Sequence, residues 1–445
     1  MVRKNELEVL QNKVRSGQHR IWKPPEDITF TDSLQYVKEF TSETEESDES
    51  IQIPPELFPD TVINCKKVTL QLNQLQKDII TRWCYAYVKM YNETIYFIKR
   101  KYLTENITMT NYQQIRTHHL KTKRNEIISE SIHSEHGANS SIRTHMIDEA
   151  IKLACSNYKS ALSNLKAKNI THFRVRYWKR KLFYRLDIEP SYFTDAGFCT
   201  RLLGPIEAYY NNIPFEWSTV NNTSQLQFDF EDNKYYLIVP EKSNTIKSKN
   251  VRRKWISLDP GIRTFLTGIS TNQVVKFADN LVENEIVSKF NKIDTLCKLE
   301  KEKTLKKRRA RKALKRVRKK IKNKIDDMHW KTINYLVKNY ETVLIGDLSA
   351  KRVISNKGSV LSSISKRSLL ALSLFKYHQR LSYKAQQYHT KVILVDESFT
   401  TKVCSCCGEV NGNIGSKKVF ECYSCPNISD RDVDGARCIA IKGLL

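Results

Sequence analysis

A chain of 445 residues, 40% of them hydrophobic, holds enough apolar material for several cores and reads as a multi-domain globular protein. Its 75 Lys and Arg against 48 Asp and Glu leave a formal net charge of +27. A small-molecule enzyme has no use for that excess, whereas a polyphosphate partner makes it favourable through counterion release. No apolar run is long enough to span a bilayer, and the N-terminal MVRKNELEVLQNKVRSG lacks the apolar core of a signal peptide. The expectation is an intracellular protein with a nucleic-acid partner and no membrane partner.

In chain order, residues 1–60 are polar, carry the acidic run Ser42–Ser50 and end in prolines, which predicts a poorly ordered extension without chemistry. From Lys66, KKVTLQLN alternates like a strand. Leu75–Tyr102 then repeats apolar residues at helical spacing, with Trp83, Tyr87, Tyr91 and Ile95 on one face, a stripe that reads as core. Residues 112–135 and 143–168 predict a second helix pair. The stretch His172–Glu189 reads as paired strands in which Arg174, Arg176, Lys179, Arg180, Lys181 and Arg185 interleave with Tyr177, Trp178 and Tyr184. That mixture suits phosphate contacts and base stacking, or alternatively a solvated basic sheet edge. Lys234–Pro240 closes this half as a strand, and SNTIKSKNVRRK reads as a linker.

A new domain follows, with strands at Lys254–Leu258, Thr264–Ile269 and Val274–Phe277, helices over 282–339, a strand at Thr342–Ile345, a helix over 366–388, a strand at Lys391–Val395, a cysteine cluster and a final helix over 432–443. Three strands in succession, then strands alternating with helices, are the order of a ribonuclease-H-like sheet. Within the helices, Lys303–Lys324 contains no acid and a Lys or Arg at more than half of its positions, while Leu314, Val317, Ile321 and Ile325 keep one apolar stripe. A solvated face normally mixes both signs, so this helix, with Arg308, Arg309, Arg311 and Lys312, predicts contact with nucleic-acid backbone. The same run can serve as a nuclear localisation signal.

Asp259 closes the first of these strands, where open α/β sheets place their chemistry; Gly261 permits the turn after it and Arg263 can reach a phosphate. By itself D-P-G also marks an ordinary turn. The second carboxylate stays open, because the fourth strand ends in Asp347 and the fifth in Asp396 and Glu397, of which alternation admits only one to a shared pocket. A third lies among Asp430, Asp432 and Asp434 at a helix start, where acids also simply suit the dipole. Three clustered carboxylates bind divalent metal, and two Mg²⁺ ions there activate a water and stabilise the leaving 3′ oxygen of a phosphodiester.

Of eleven cysteines, five crowd between Cys404 and Cys425. Cys404-Ser-Cys-Cys407 and Cys422-Tyr-Ser-Cys425 are two C-x-x-C knuckles at the spacing of a four-cysteine zinc ribbon, with Cys406 expendable. A redox dithiol does not account for the second knuckle. Four thiolates leave no position for water, so one Zn²⁺ here is structural.

Taken together, D-P-G-x-R, G-D-L-S, E-S-F-T-T-K-x-C-x-x-C-G, C-x-x-C and DRDVDGAR-x-I resemble the TnpB nucleases of bacterial transposons and, more closely, their eukaryotic and viral relatives, the Fanzor proteins, kin of the miniature type V CRISPR effectors. The resemblance is most specific over Trp255–Leu445 and extends weakly into the helices of the N-terminal half. It implies a multi-domain α/β fold: a RuvC (ribonuclease-H-like) nuclease domain over 246–399 and 429–445, a zinc ribbon inserted at 400–428, a wedge-type β-barrel at 61–74 and 169–245, and an inserted helical recognition domain at 75–168. It also implies an RNA-guided DNA endonuclease, one protein per guide RNA, that checks a short motif beside the target and delegates sequence reading to base pairing.

The resemblance selects Asp432, before Val433, as the last catalytic carboxylate. Gly346 stands where TnpB proteins usually have glutamate, and Fanzor proteins often carry it at the position of Glu397; Asp259, Glu397 and Asp432 are then the catalytic Mg²⁺ ligands. Asp434 and Cys438 replace asparagines typical of the last motif. Two other readings use the same features: a nuclease-dead nucleic-acid-binding protein, and a transposase. The expected location is the nucleus in a eukaryotic host and the cytoplasm otherwise.

Overall fold

The computed structural model describes residues 58–444 and a strand at Val37–Thr41, apart from 134–139, 179–184, 230–233, 247–251, 272, 304–305, 356–360 and 413–416. Two compact units emerge: Met1–Val62 with Asn244–Leu445, and Ile63–Ser243. The first strand among the described residues, β1 (Val37–Thr41), belongs to the former.

The unit Ile63–Ser243 opens with β2 (Thr61–Gln71) and α1 (Gln74–Glu105). The Asn73 side chain accepts from the Gln76 N–H at 2.8 Å, and the Gln76 side chain accepts from the Asn73 N–H at 2.9 Å, a capping box that starts α1 there. Trp83, Tyr87, Tyr91 and Ile95 are all buried, as their spacing predicts. A π-helical turn at Ile115–His119 leads into α2 (Lys121–Glu130), and α3 (Thr144–Lys166) packs on α1. Then come β3 (Arg185–Ile188), the short hairpin β4 (Phe193–Thr194) and β5 (Gly197–Phe198), β6 (Glu207–Tyr210), β7 (Ile213–Pro214), β8 (Ser224–Asp229) and β9 (Lys234–Asn244). Six of these strands form one sheet in the order β3-β8-β9-β2-β6-β7.

Of the paired strands expected over His172–Glu189, the described residues contain β3, and 179–184 lie outside them. Residues 172–178 have no ladder partner among the described residues, yet their alternation is real. Arg174 and Arg176 are exposed, while Phe173 and Trp178 are half-buried against helices. Trp178 stacks on Tyr91 of α1 at 3.8 Å and 8°, and its backbone N–H and carbonyl are held by the Asn92 side chain at 2.8 and 2.9 Å. Period two therefore records an extended segment packed on a helix, with a side-chain amide replacing the neighbouring strand.

The other unit contains β10 (Arg253–Pro260), β11 (Thr264–Ser270), β12 (Gln273–Asp279), α4 (Val287–Lys301), α5 (Lys307–Asn339), β13 (Tyr340–Gly346), α6 (Ser363–Leu372), α7 (Leu374–Tyr388), β14 (Lys391–Val395), β15 (Val419–Glu421), β16 (Ile428–Asp430) and α8 (Arg431–Leu444). Its main sheet has the order β1-β12-β11-β10-β13-β14. β10, β11 and β12 run antiparallel, and β13 and β14 lie parallel to β10, the succession that the strand and helix order predicts. One correction concerns the extension: Val37–Thr41 pairs antiparallel with β12 and occupies an edge that would otherwise be open. The rest of 1–57, the acidic run included, lies outside the described residues.

Strand parity assigns the two faces of this sheet. Ile256, Leu258, Val343 and Ile345 join one core with Leu314, Val317, Ile321 and Ile325 of α5 and with Tyr377 and Leu381 of α7. The alternate residues meet α8: the Ser257 hydroxyl donates to the Ala436 carbonyl at 2.8 Å, and Leu344 and Val395 pack on Ile439. Gly443 is required by this close approach, since a Cβ there would lie 2.7 Å from the Val395 Cγ2.

At the opposite end of the strands the Arg252 guanidinium lies within hydrogen-bonding distance of the carbonyls of Val337, Tyr340, Tyr388 and His389 and of the Thr390 hydroxyl, which share its N–H groups. It thereby satisfies the carboxyl ends of α5 and α7 together. Arg252→Ala is expected to destabilise the protein by about 2–4 kcal/mol in denaturant unfolding, since several part-buried carbonyls lose a charge-assisted donor. A loss within the ~0.5 kcal/mol usual for surface substitutions would show that water replaces the guanidinium.

Candidate active site and cysteine ribbon

β10, β13 and β14 are parallel and end together, with Leu258 beside Ile345 and Gly346 beside Val395. Parity puts Asp259 on the α8 face with Ser257, Gly346 with Leu344, and Glu397 with Val395. Asp259 is buried, and a Cβ on Gly435 of α8 would lie 2.9 Å from its Oδ2. Glu397 reaches across from the end of β14 so that its carboxylate lies over Gly346, and any side chain built at 346 would overlap it. The absence of a side chain at Gly346 is what leaves room for the Glu397 carboxylate.

Burial, then the negative charges of Glu397 and Asp432, push the Asp259 carboxyl well above the usual range. Burial and then Asp347 push Glu397 up to about 8. Glu397 Oε1 is buried without a hydrogen-bond partner. An orphaned carboxylate oxygen among acids that repel one another fits a divalent cation, which supplies both the missing ligand and the missing charge. The oxygens are more spread than the cysteine sulfurs, which alone among the described residues all fall within 4.8 Å of one another.

The acids left open by the sequence separate by what they touch. Asp432, in the first turn of α8, pairs through Oδ2 with Arg263 at 3.1 Å. Arg263, expected at a phosphate, is 32% exposed beside that carboxylate. Asp430 accepts from the Asp432 N–H at 2.9 Å and pairs with Lys276 at 2.6 Å. Asp434 turns from the cluster and accepts from the Ser405 hydroxyl at 2.6 Å. Asp396 is exposed and pairs with Lys442 at 2.9 Å. Asp347 accepts from the Glu397 N–H at 3.4 Å. Parity puts it on the other face, near His378, a histidine the sequence reading passed over because a lone His on a helix carries no signal.

In the ribbon, the sulfurs of Cys404, Cys407, Cys422 and Cys425 converge, with Cys404 and Cys425 3.7 Å apart and Cys407 and Cys422 3.5 Å apart. Four thiolates at the usual Zn–S distance mark a tetrahedron with edges of about 3.8 Å. The group can hold a metal and fits a zinc ribbon; Cys406 is outside it. β15 and β16 form the hairpin that returns the chain to α8.

Arg308, Arg309, Arg311 and Lys312 are exposed along α5, and the acid nearest them in an ion pair is Glu300, 4.0 Å from Arg311. Arg174 and Arg176 are exposed, whereas Trp178 is committed to Tyr91. Lys179, Arg180, Lys181 and Tyr184 lie outside the described residues. Arg185 pairs with Asp187 at 3.1 Å and leaves the basic surface. Replacing Arg308, Arg309, Arg311 and Lys312 by Gln is expected to weaken RNA binding and flatten the slope of log affinity against log salt by about 3. An unchanged slope would return this face of α5 to plain solvation.

A multi-domain α/β chain with a four-cysteine ribbon set just before its last sheet-packed helix defines the class. The model of the Cas12f1-like TNB domain matches residues 375–439, the span from α7 through the ribbon into α8. The chain is 32% identical over 403 residues to TnpB-like protein L770 of Acanthamoeba polyphaga mimivirus, covering 87% of this chain and 74% of that one. TnpB-like protein L79 of the same virus is 33% identical with the same coverage. A putative RNA-guided DNA endonuclease of Streptomyces pristinaespiralis is 30% identical over 138 residues, 31% of this chain and 33% of that one. The chain belongs to the TnpB-like protein family.

Proposed function

We propose that this chain is an RNA-guided DNA endonuclease of the Fanzor type, with a RuvC-type site made by Asp259, Glu397 and Asp432. The observation that carries the reading is the Glu397 carboxylate lying over Gly346, with a buried oxygen left unpartnered beside Asp259. A scaffold that had lost its chemistry has no reason to keep a buried Asp259 against the charges of Glu397 and Asp432, which raise the cost of ionising it. Membership of the TnpB-like family and the name of the Streptomyces relative support the same reading.

When bound, two Mg²⁺ ions supply an activated water and stabilise the leaving oxygen. Asp259, Glu397 and Asp432 would hold these ions, with Asp259 the buried acid that feels the charges of the other two. Arg263 binds the backbone phosphate beside Asp432, and the four cysteines hold one structural Zn²⁺. The domain limits follow the resemblance: RuvC over 246–399 and 429–445, the ribbon over 400–428, the wedge-type barrel over 61–74 and 169–245, and recognition helices over 75–168. The exposed α5 cations and Arg174 and Arg176 contact guide RNA or its heteroduplex with the target.

The test begins with sequencing the RNA that copurifies with the full chain. A defined RNA ending in a variable segment is expected. A plasmid carrying the matching sequence with randomised flanks is then cut in Mg²⁺ and not in EDTA, without strand-transfer products. RNA of no defined end, or joined strands in place of cut ones, would overturn the proposal.

A further inference from the structure

Asp434 is 1% exposed and lies in the first turn of α8, two residues after Asp432. Its Oδ1 accepts from the Ser405 hydroxyl at 2.6 Å, the Asn427 amide at 3.1 Å and the Ser429 hydroxyl at 3.4 Å, and its Oδ2 accepts from the Ser405 N–H at 3.4 Å. Every one of these donors belongs to the ribbon or to the hairpin that leaves it: Ser405 follows Cys404, and Asn427 lies two residues beyond Cys425.

The Asn427 amide has two N–H bonds and divides them, one to Asp434 and one to the Cys404 sulfur at 3.3 Å. A single buried side chain thus joins a sulfur of the cysteine group to the helix that carries Asp432. One turn further along α8, the Cys438 thiol donates to the Val403 carbonyl at 3.2 Å, just before the first knuckle. β16 runs into α8 without an intervening loop, and its last residue, Asp430, accepts from the Asp432 N–H.

We infer that Asp434 is a positioning residue through which metal in the ribbon sets the place of Asp432. This rests on reading the ribbon as a zinc site and Asp432 as a ligand of the catalytic metals. With the four sulfurs pinned, Ser405 and Asn427 are pinned too, and their donors converge on Asp434. Without that anchor the two loops part, and a buried carboxylate is left short of donors. The first turn of α8 then shifts toward water and takes Asp432 with it.

The test uses the full chain and two readouts that do not depend on cutting: the rate of zinc release to a chromophoric chelator, and Mn²⁺ binding followed by electron paramagnetic resonance. Asp434→Ala is expected to release zinc roughly tenfold faster and to bind Mn²⁺ about fivefold more weakly, the scale of a few buried hydrogen bonds. Asp434→Asn keeps an oxygen acceptor and stays within about threefold of the wild type in both. Ser405→Ala, the milder change should Asp434→Ala fail to fold, moves both readouts in the same direction by less. Zinc-stripped wild type should reproduce the weakened Mn²⁺ binding.

Zinc release unchanged by Asp434→Ala, or full Mn²⁺ affinity in zinc-stripped protein, would overturn the coupling while leaving the nuclease reading intact. Wild type that binds no Mn²⁺ would overturn the metal-site reading and the coupling with it.

Discussion

Glu397→Gln is expected to lower DNA cutting by on the order of a thousandfold or more, with guide RNA binding retained, because it removes one carboxylate of the proposed metal site and none of the basic surface. Asp347→Asn is expected to cut within about tenfold of wild type, since its parity places it on the opposite face, from which it accepts the Glu397 N–H and adds its charge to the burial that raises Glu397. The sharper test moves the carboxylate. Gly346→Glu alone drives a side chain into the Glu397 carboxylate, so overpacking and one more acid beside Glu397 should leave it inactive and less stable. Combining Gly346→Glu with Glu397→Gly returns the acid to β13 on the same sheet face and should recover cutting at least tenfold over Glu397→Gly alone. Cutting by Glu397→Gln at near wild-type rate, with Asp347→Asn dead, would sink the assignment.

The same carboxylate predicts a pH dependence in metal-free protein. Glu397 titrates at about 8 when folded and near its ordinary value when unfolded, so between these the folded state holds a proton that the unfolded chain has released. Taken by itself this group makes stability fall as pH rises from about 4.5 to 8, while His329, lowered to about 4 by burial, contributes the opposite slope below about 6.5. Glu397→Gln removes that proton and also the repulsion it exerts on Asp259, so its stability should decline less over this window, with an advantage of a few kcal/mol at pH 8. Mg²⁺ should close the gap by stabilising the wild type alone. Loss of activity with gain of metal-free stability is the signature of an acid kept for chemistry.

The second large effect concerns the ribbon. Elemental analysis is expected to find one Zn per chain, lost in Cys422→Ser and kept in Cys406→Ser. The reason for so large a loss lies in the ribbon's small hydrophobic cluster, which among the described residues is Phe420 and Cys404 with the other cysteines packed around them. A segment with one aromatic ring for a core depends on the metal for its fold, and structural zinc supplies on the order of 10 kcal/mol to such segments. Cys422→Ser should therefore unfold the 400–428 region while the six-stranded sheet persists, visible as proteolytic cutting confined to the ribbon. Zinc loss from Cys406→Ser with retention in Cys422→Ser would reverse the ligand assignment.

Local pattern alone determined a good deal about this protein. The apolar stripe of α5, the aromatic stripe of α1, the paired knuckles and the strand ending in Asp259 each depend on residues within a turn or a strand of one another, and each stands where the spacing put it. The net charge of +27 required no structure at all. Asp347, Asp396 and Glu397 were indistinguishable in that view, because the choice depends on two parallel strands far apart in sequence and on whether the residue between them leaves room. Gly346 leaves it, and only the packed sheet shows the Glu397 carboxylate filling the gap.

The same limit explains the other departures. Period two at 172–178 is identical for a ladder and for a segment lying on α1, and Asn92, distant in sequence, decided between them. Val37–Thr41 became a strand because β12 offered an edge, which composition cannot see. Among Asp430, Asp432 and Asp434, crowded at one helix start, each found a different partner, in Lys276, Arg263 and Ser405, brought there by β12, the turn after β10 and the ribbon. Residue type and periodicity are local and survive in the sequence. Burial, parity against a neighbouring strand and the sharing of one carboxylate by distant donors are properties of closure, and exist only once the chain has folded.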